Sequence, residues 1–199
     1  RDGVVFFENK YNFELLTALS YIKMRTPESI NVIDFGGSLG SIYWQHKNFM
    51  LPEIINTWNV VEQQHYVKAG QSEFQDEKLK FHYSVKDTMG ISTPHLMVLS
   101  SVLQYLPDPH SFIEEILDAS VPYMFLDRTA FIDGSNDRLT IQKVHPSIYH
   151  ARYPCWFLSE QKLLLKLNRR YETLFEFEAM DKSNIRGTFF KGMFLKLKK

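Results

Sequence analysis

Cysteine occurs once, at Cys155, in a chain of 199 residues. A lone thiol cannot close a bridge within its own chain, so a disulfide-stapled secreted scaffold is excluded and a reducing, cytoplasmic setting is expected. Charge of one sign is not in surplus either: 23 Lys and Arg stand against 23 Asp and Glu. A binder that neutralises phosphates carries a cationic excess, so no nucleic-acid partner is expected. No apolar run approaches the roughly 18 residues that cross a bilayer, and residues 1–7 are too short an opening for a signal peptide, so no membrane span is expected. The first residue is Arg1 rather than Met, so further residues upstream are expected. The histidines form no HExxH pattern and Cys155 has no ligand at metal spacing, so no metal site is expected. Repeats and low-complexity tracts are missing as well.

What remains is 44% hydrophobic and 15% aromatic, enough for a full core at a length typical of one domain, so residues 1–199 are read as a single domain. Residues 9–25 carry Tyr11, Phe13, Leu15, Leu16, Leu19 and Ile22 at helical spacings until Thr26 and Pro27 break the pattern. A short apolar run, NVIDF, ends in glycines and leads to a helical stretch over residues 39–50, the first strand-turn-helix unit. Strand 57–62, helix 64–74 and strand 79–83 continue the alternation, and residues 95–101 (HLMVLSS) read as a strand buried on both faces. Asp108 caps a helix that begins at Pro109, residues 122–127 form a fifth strand, and Ser159 caps a helix through Leu163 and Leu167. Two closing strands, 171–179 and 188–197, are close enough in sequence to pair antiparallel. The expected fold is therefore α/β: a doubly wound, mostly parallel seven-stranded sheet with an antiparallel C-terminal strand. Residues 130–158 resist assignment and are read as a loop or insert beside the substrate, with a local helix or hairpin as the plainer alternative.

The clearest chemical signal is DFGGSLG at residues 34–40. Glycines between a buried strand and a helix let main chain approach a ligand closely. Glu62, 22 residues after Gly40, ends the second strand near the spacing of about 20 expected for an acid that holds ribose hydroxyls. A tight turn without a ligand and a solvated strand-end carboxylate are the plainer readings.

DFGGSLG, the acid after the next strand, and LMVLSSVLQYLPDP followed by a helix resemble the first, second and fourth motifs of class I S-adenosylmethionine-dependent methyltransferases. The likeness covers residues 30–199, and the closing hairpin is similar to the last two strands of that Rossmann-like fold. Gly36 and Gly40 match the family's acid-x-Gly-x-Gly-x-Gly pattern, whereas Ser38 stands at the middle glycine and Gly37 is extra. More narrowly, DFGGSLG, LSSVLQYLPDP, LDRT and VHPSIYHARYPCWF resemble an uncharacterised group of bacterial methyltransferase-like proteins often associated with surface-polysaccharide gene clusters.

The resemblance implies S-adenosylmethionine as cofactor, with Asp34 orienting its methionine part, Gly36, Gly37, Ser38 and Gly40 passing beneath it, and Glu62 on the ribose. Ser84 or Asp87 falls where the family contacts adenine, and Ser100 and Ser101 end the fourth strand on the cofactor side or are simply satisfied hydroxyls. Methyl transfer is governed by positioning, with a base needed only if the acceptor must lose a proton. His145, His150 and Tyr149, with Tyr153 nearby, are the candidate catalytic groups in the segment after the fifth strand. Asp127 and Arg128 either line the pocket or order the loop; Trp156 and Phe157 read as core, and His110 as solvated. The expected acceptor is a small or glycan-related molecule, methylated at oxygen. Rival readings are a methyltransferase-like cofactor-binding module without turnover and a nicotinamide-dependent oxidoreductase, whose GxGxxG the glycines do not meet.

Overall fold

The computed structural model describes residues 11–49, 53–144, 146 and 150–199. By contact density the chain forms two compact units, one of residues up to Leu99 with Pro122–Phe125, the other of Ser100–Val121 with Leu126–Lys199.

The first unit opens with α1 (Phe13–Lys23), capped by the Asn12 side chain, which accepts from Leu15 N. Its parallel strands β1 (Ile30–Phe35), β2 (Ile55–Val61), β3 (Leu79–His82) and β4 (Leu96–Ser100) lie in the order β3-β2-β1-β4. The register pairs Asp34 with Val60 and Val98, and Val61 with His82. Every residue of β4 is buried, as its unbroken apolar run requires. Helix α2 (Ser41–His46) follows the glycine turn and is shorter than the expected 39–50. The buried His46 accepts from Asn12 N at Nε2 (2.7 Å), while its Nδ1 meets the Ile42 carbonyl. The expected helix 64–74 divides into α3 (Gln64–Ala69) and a wider π turn over Gly70–Phe74. A short helix, α4 (Val85–Met89), was not expected, although Ser84 and Asp87 form the reciprocal capping box that their spacing permits.

In the second unit the chain makes a 3₁₀ turn over Leu103–Tyr105 and then α5 (Pro109–Ala119), where the Asp108 side chain accepts from Ser111 N as expected. Strand β5 (Tyr123–Ile132) outruns the expected 122–127. Residues 130–158 are not a loop: β6 (Arg138–Lys143) and β7 (Arg152–Ser159) pair antiparallel, and β7 joins β5 in parallel through Phe131 with Leu158. The Ser159 side chain caps α6 (Glu160–Leu167), and β8 (Tyr171–Glu178) pairs antiparallel with β9 (Thr188–Leu197), which lies between β5 and β8. The architecture is thus mixed α/β with a mostly parallel sheet and an antiparallel C-terminal strand. Nine strands, not seven, stand among the described residues, because the inserted hairpin joins the sheet instead of looping away from it.

Ion pairs on α6 tie this unit together. Glu114 accepts from Lys166 and Arg169, and Arg170 donates to the Leu117 carbonyl and Ser120 Oγ. Asp137 accepts from Ser159 N (2.7 Å), Lys162 and His110, so His110 is held at a carboxylate rather than solvated as expected.

Candidate cofactor site

Asp34 lies one residue before the end of β1 and is buried. Its Oδ2 accepts from the Trp58 indole at 3.0 Å. Gly37 packs directly over the same carboxylate: a Cβ there would stand 2.5 Å from Oδ2 and 2.6 Å from Cγ. The glycine that looked supernumerary thus has no room for a side chain, as Gly40 has none against Leu79.

Three residues of the turn take left-handed φ: Gly36 at 73°, Ser38 at 53° and Gly40 at 78°. A side chain in that region costs about 1–2 kcal/mol, so Ser38 keeps a glycine-like conformation against its own preference. Gly36 N donates to the Val61 carbonyl (2.9 Å) and Gly40 N to the Gly37 carbonyl (3.0 Å), which pins both ends of the turn. The half-buried Glu62 carboxylate, on the residue just past β2, meets it, accepting from Ser38 N at 3.2 Å with Oε1 and from Gln63 N at 2.7 Å with Oε2. Asp34, Gly37, Ser38 and Glu62 are thus brought together at the turn. The donor set suits a polar ligand: a carboxylate oxygen retains a second lone pair after taking one amide, and the turn presents main chain rather than bulk. Asp87 is exposed at the start of α4, its Oδ2 accepting from Ser84 N at 3.0 Å.

In the second unit, Ser100 Oγ donates to Asp127 Oδ2 (2.9 Å) and Ser101 N to the Asp127 carbonyl (2.9 Å). Ser101 and Arg128 both take left-handed φ, 55° and 50°. The fully buried Gln104 joins them, its Nε2 donating to Ser101 Oγ and to the Arg128 carbonyl. Neither Gln104 nor Tyr105 was singled out from sequence; a glutamine within an otherwise apolar run was the available signal. Burial raises the Tyr105 hydroxyl's pKa, and the hydroxyl donates to Gln142 Oε1 at 3.1 Å. The Arg128 guanidinium stands 3.7 Å from Asp127 and 3.8 Å from Asp181. Phe157 is core, as expected, whereas Trp156 is only half-buried because it lies on the opposite face of β7. His150 is exposed, whereas His145 and Tyr149 lie outside the described residues. A cavity of about 670 Å³ is lined by Glu176, Phe177, Glu178, Asp181, Phe189 and Phe190, a volume within the usual range for small-molecule sites. Among the described residues no cluster of His, Cys, Asp and Glu is arranged to hold a metal.

No family model matches the chain, and no curated protein matches it. Solved structures do. A SAM-dependent methyltransferase from Methanosarcina mazei superposes with a TM-score of 0.60 at 12% identity, over 89% of this chain and 96% of its own. The glycopeptide N-methyltransferase MtfA, complexed with S-adenosyl-L-methionine, gives 0.59 at 9% identity, over 98% and 100%. A pericyclic reaction enzyme gives 0.59 at 10% identity, over 99% of this chain and 50% of its own. At such identities these likenesses concern the fold.

Proposed function

We propose that the chain is an S-adenosylmethionine-dependent methyltransferase that acts on a small or glycan-related acceptor, at oxygen. The observation that carries this reading is Ser38, held at φ 53° with its amide on Glu62. Strain kept in a turn between strand and helix, and tied to an acid just past the neighbouring strand, is what a nucleoside-holding turn needs and a plain connection does not. Ligands of the fold neighbours support the cofactor, and the narrower likeness to proteins of surface-polysaccharide clusters supports a glycan-related acceptor.

In this reading Glu62 accepts from the ribose hydroxyls, and the main chain of residues 36–40 runs beneath the nucleoside. Asp34 acts through the turn: buried under Gly37 and bonded to Trp58, it orients the main chain that meets the methionine part. When bound, the sulfonium supplies an electrophilic methyl group with a good leaving group. The protein's task is then to position the acceptor and, for a hydroxyl, to take its proton. The cavity at the β8–β9 end and the segment of residues 130–158 are the proposed acceptor side, with His145, His150 or Tyr149 as proton acceptor. Ser100, Ser101 and Asp87 belong to the proposed cofactor contacts only through side chains already engaged within the protein.

A second reading is a cofactor-binding protein that does not transfer methyl groups. It is favoured by the serine at the middle glycine position and by the exposure of His150. Titration calorimetry with S-adenosylmethionine and its demethylated product tests both readings, since no saturable heat with either ends them together. Transfer of a labelled methyl group to cell-envelope extracts separates the two.

A further inference from the structure

The β6–β7 hairpin turns its apolar side outward. Residues that face one another across an antiparallel pair share a face. Leu139 with Trp156, Ile141 with Pro154 and Lys143 with Arg152 therefore form one face, and Thr140 with Cys155 and Gln142 with Tyr153 the other. The second face is the covered one: Cys155 is buried, and Gln142 accepts from Tyr105. The first is open, with Leu139 52% and Ile141 61% exposed, Pro154 exposed and Trp156 half-buried. A strand pair with one wet side ordinarily shows the reverse. Charge is equally one-sided. Residues 138–159 contain no Asp or Glu, in a chain whose charges sum to zero; of their cations Lys143 and Arg152 stand on the open face, while Arg138, opposite Phe157, belongs to the other. None of these three cations forms an ion pair among the described residues.

We infer that this outer face docks on an anionic lipid bilayer. Leu139, Ile141 and Trp156 enter the boundary between headgroups and acyl chains, and Lys143 and Arg152, opposite each other near the hairpin tip, meet lipid phosphates. Tryptophan suits that depth because its ring is apolar and its N–H is not. A second copy fits less well. Among the described residues β6 pairs only with β7, but pairing its open edge with itself about a central two-fold sets Arg138 against Lys143, a like-charge contact. Nucleic acid would call for cations where Leu139 and Ile141 stand. The attachment is peripheral: among the described residues no helix is long and apolar enough to cross a membrane.

The test is sedimentation of the full chain with vesicles of equal parts phosphatidylglycerol and phosphatidylcholine, and with phosphatidylcholine alone. The chain is expected to pellet several-fold more with the anionic vesicles and to be released as salt is raised. The double variants Leu139→Ser with Ile141→Ser, and Lys143→Glu with Arg152→Glu, are each expected to weaken partitioning about tenfold or more, with melting temperature unchanged because all four side chains are exposed. No pelleting with anionic vesicles, or pelleting that both variants retain, overturns the inference. So does a lipid-free dimer that the Leu139 and Ile141 variant abolishes, which would assign the face to a second copy.

Discussion

The Cα of Gly37 rests on the carboxylate of Asp34, so that a methyl group there would lie 2.5 Å from Oδ2. That oxygen also takes the Trp58 indole hydrogen bond, so it cannot withdraw without leaving a buried donor unmet. Gly37→Ala is therefore expected to lower stability by about 1–3 kcal/mol through overpacking and to weaken binding of the demethylated cofactor at least tenfold. Thermal unfolding and calorimetry measure the two effects, and an alanine variant with both unchanged contradicts the packing described.

Ser38 and Glu62 separate conformation from charge. Ser38→Gly removes left-handed strain at the cost of a looser unfolded chain, so stability should stay the same or rise by up to about 1 kcal/mol. Cofactor affinity should be kept, because the contact to Glu62 comes from the backbone amide. Ser38→Val should lose about 1–2 kcal/mol, since a β-branched side chain tolerates positive φ poorly. Glu62→Gln keeps an acceptor but loses its charge, and a cofactor affinity tenfold or more lower is expected with the fold intact.

Asp76 sets an acid limit. Burial pushes its pKa up, but the amides of Leu79 and Lys78, Lys47 and the Tyr43 hydroxyl outweigh that and hold it down to about 2, from an ordinary 3.8. The folded value lies below the unfolded one, so the stabilisation is complete above the unfolded value and is lost as pH falls from there through about 2. It amounts to about 2 kcal/mol. Asp76→Asn should therefore be less stable than the parent at pH 6, with the gap closing toward pH 2 in urea titrations.

Cys155 should be inert in the native protein. Burial lifts its thiol to about 11, so almost no thiolate exists at neutral pH. A thiol reagent at pH 8 is expected to label it only after denaturant is added, and prompt labelling of the folded chain would contradict its burial in β7.

The alternation of strands and helices, the caps at Asp108 and Ser159, the closing hairpin and the pairing of the glycine turn with Glu62 were all legible in the sequence. Each rests on local periodicity, capping chemistry or a fixed spacing along the chain. That Gly37 is required was decided only in three dimensions, because the carboxylate and indole that β1 and β2 bring beneath it leave no room for a side chain. The hairpin over residues 138–159 stayed hidden for a related reason. Leu139 and Ile141 face outward while Cys155 and Phe157 face inward, so the usual rule that alternating apolar positions mark a strand's buried face pointed nowhere until register between β6 and β7 gave each face its neighbours. Gln104 and Arg128, 24 residues apart, came together through strand order, which no local pattern encodes.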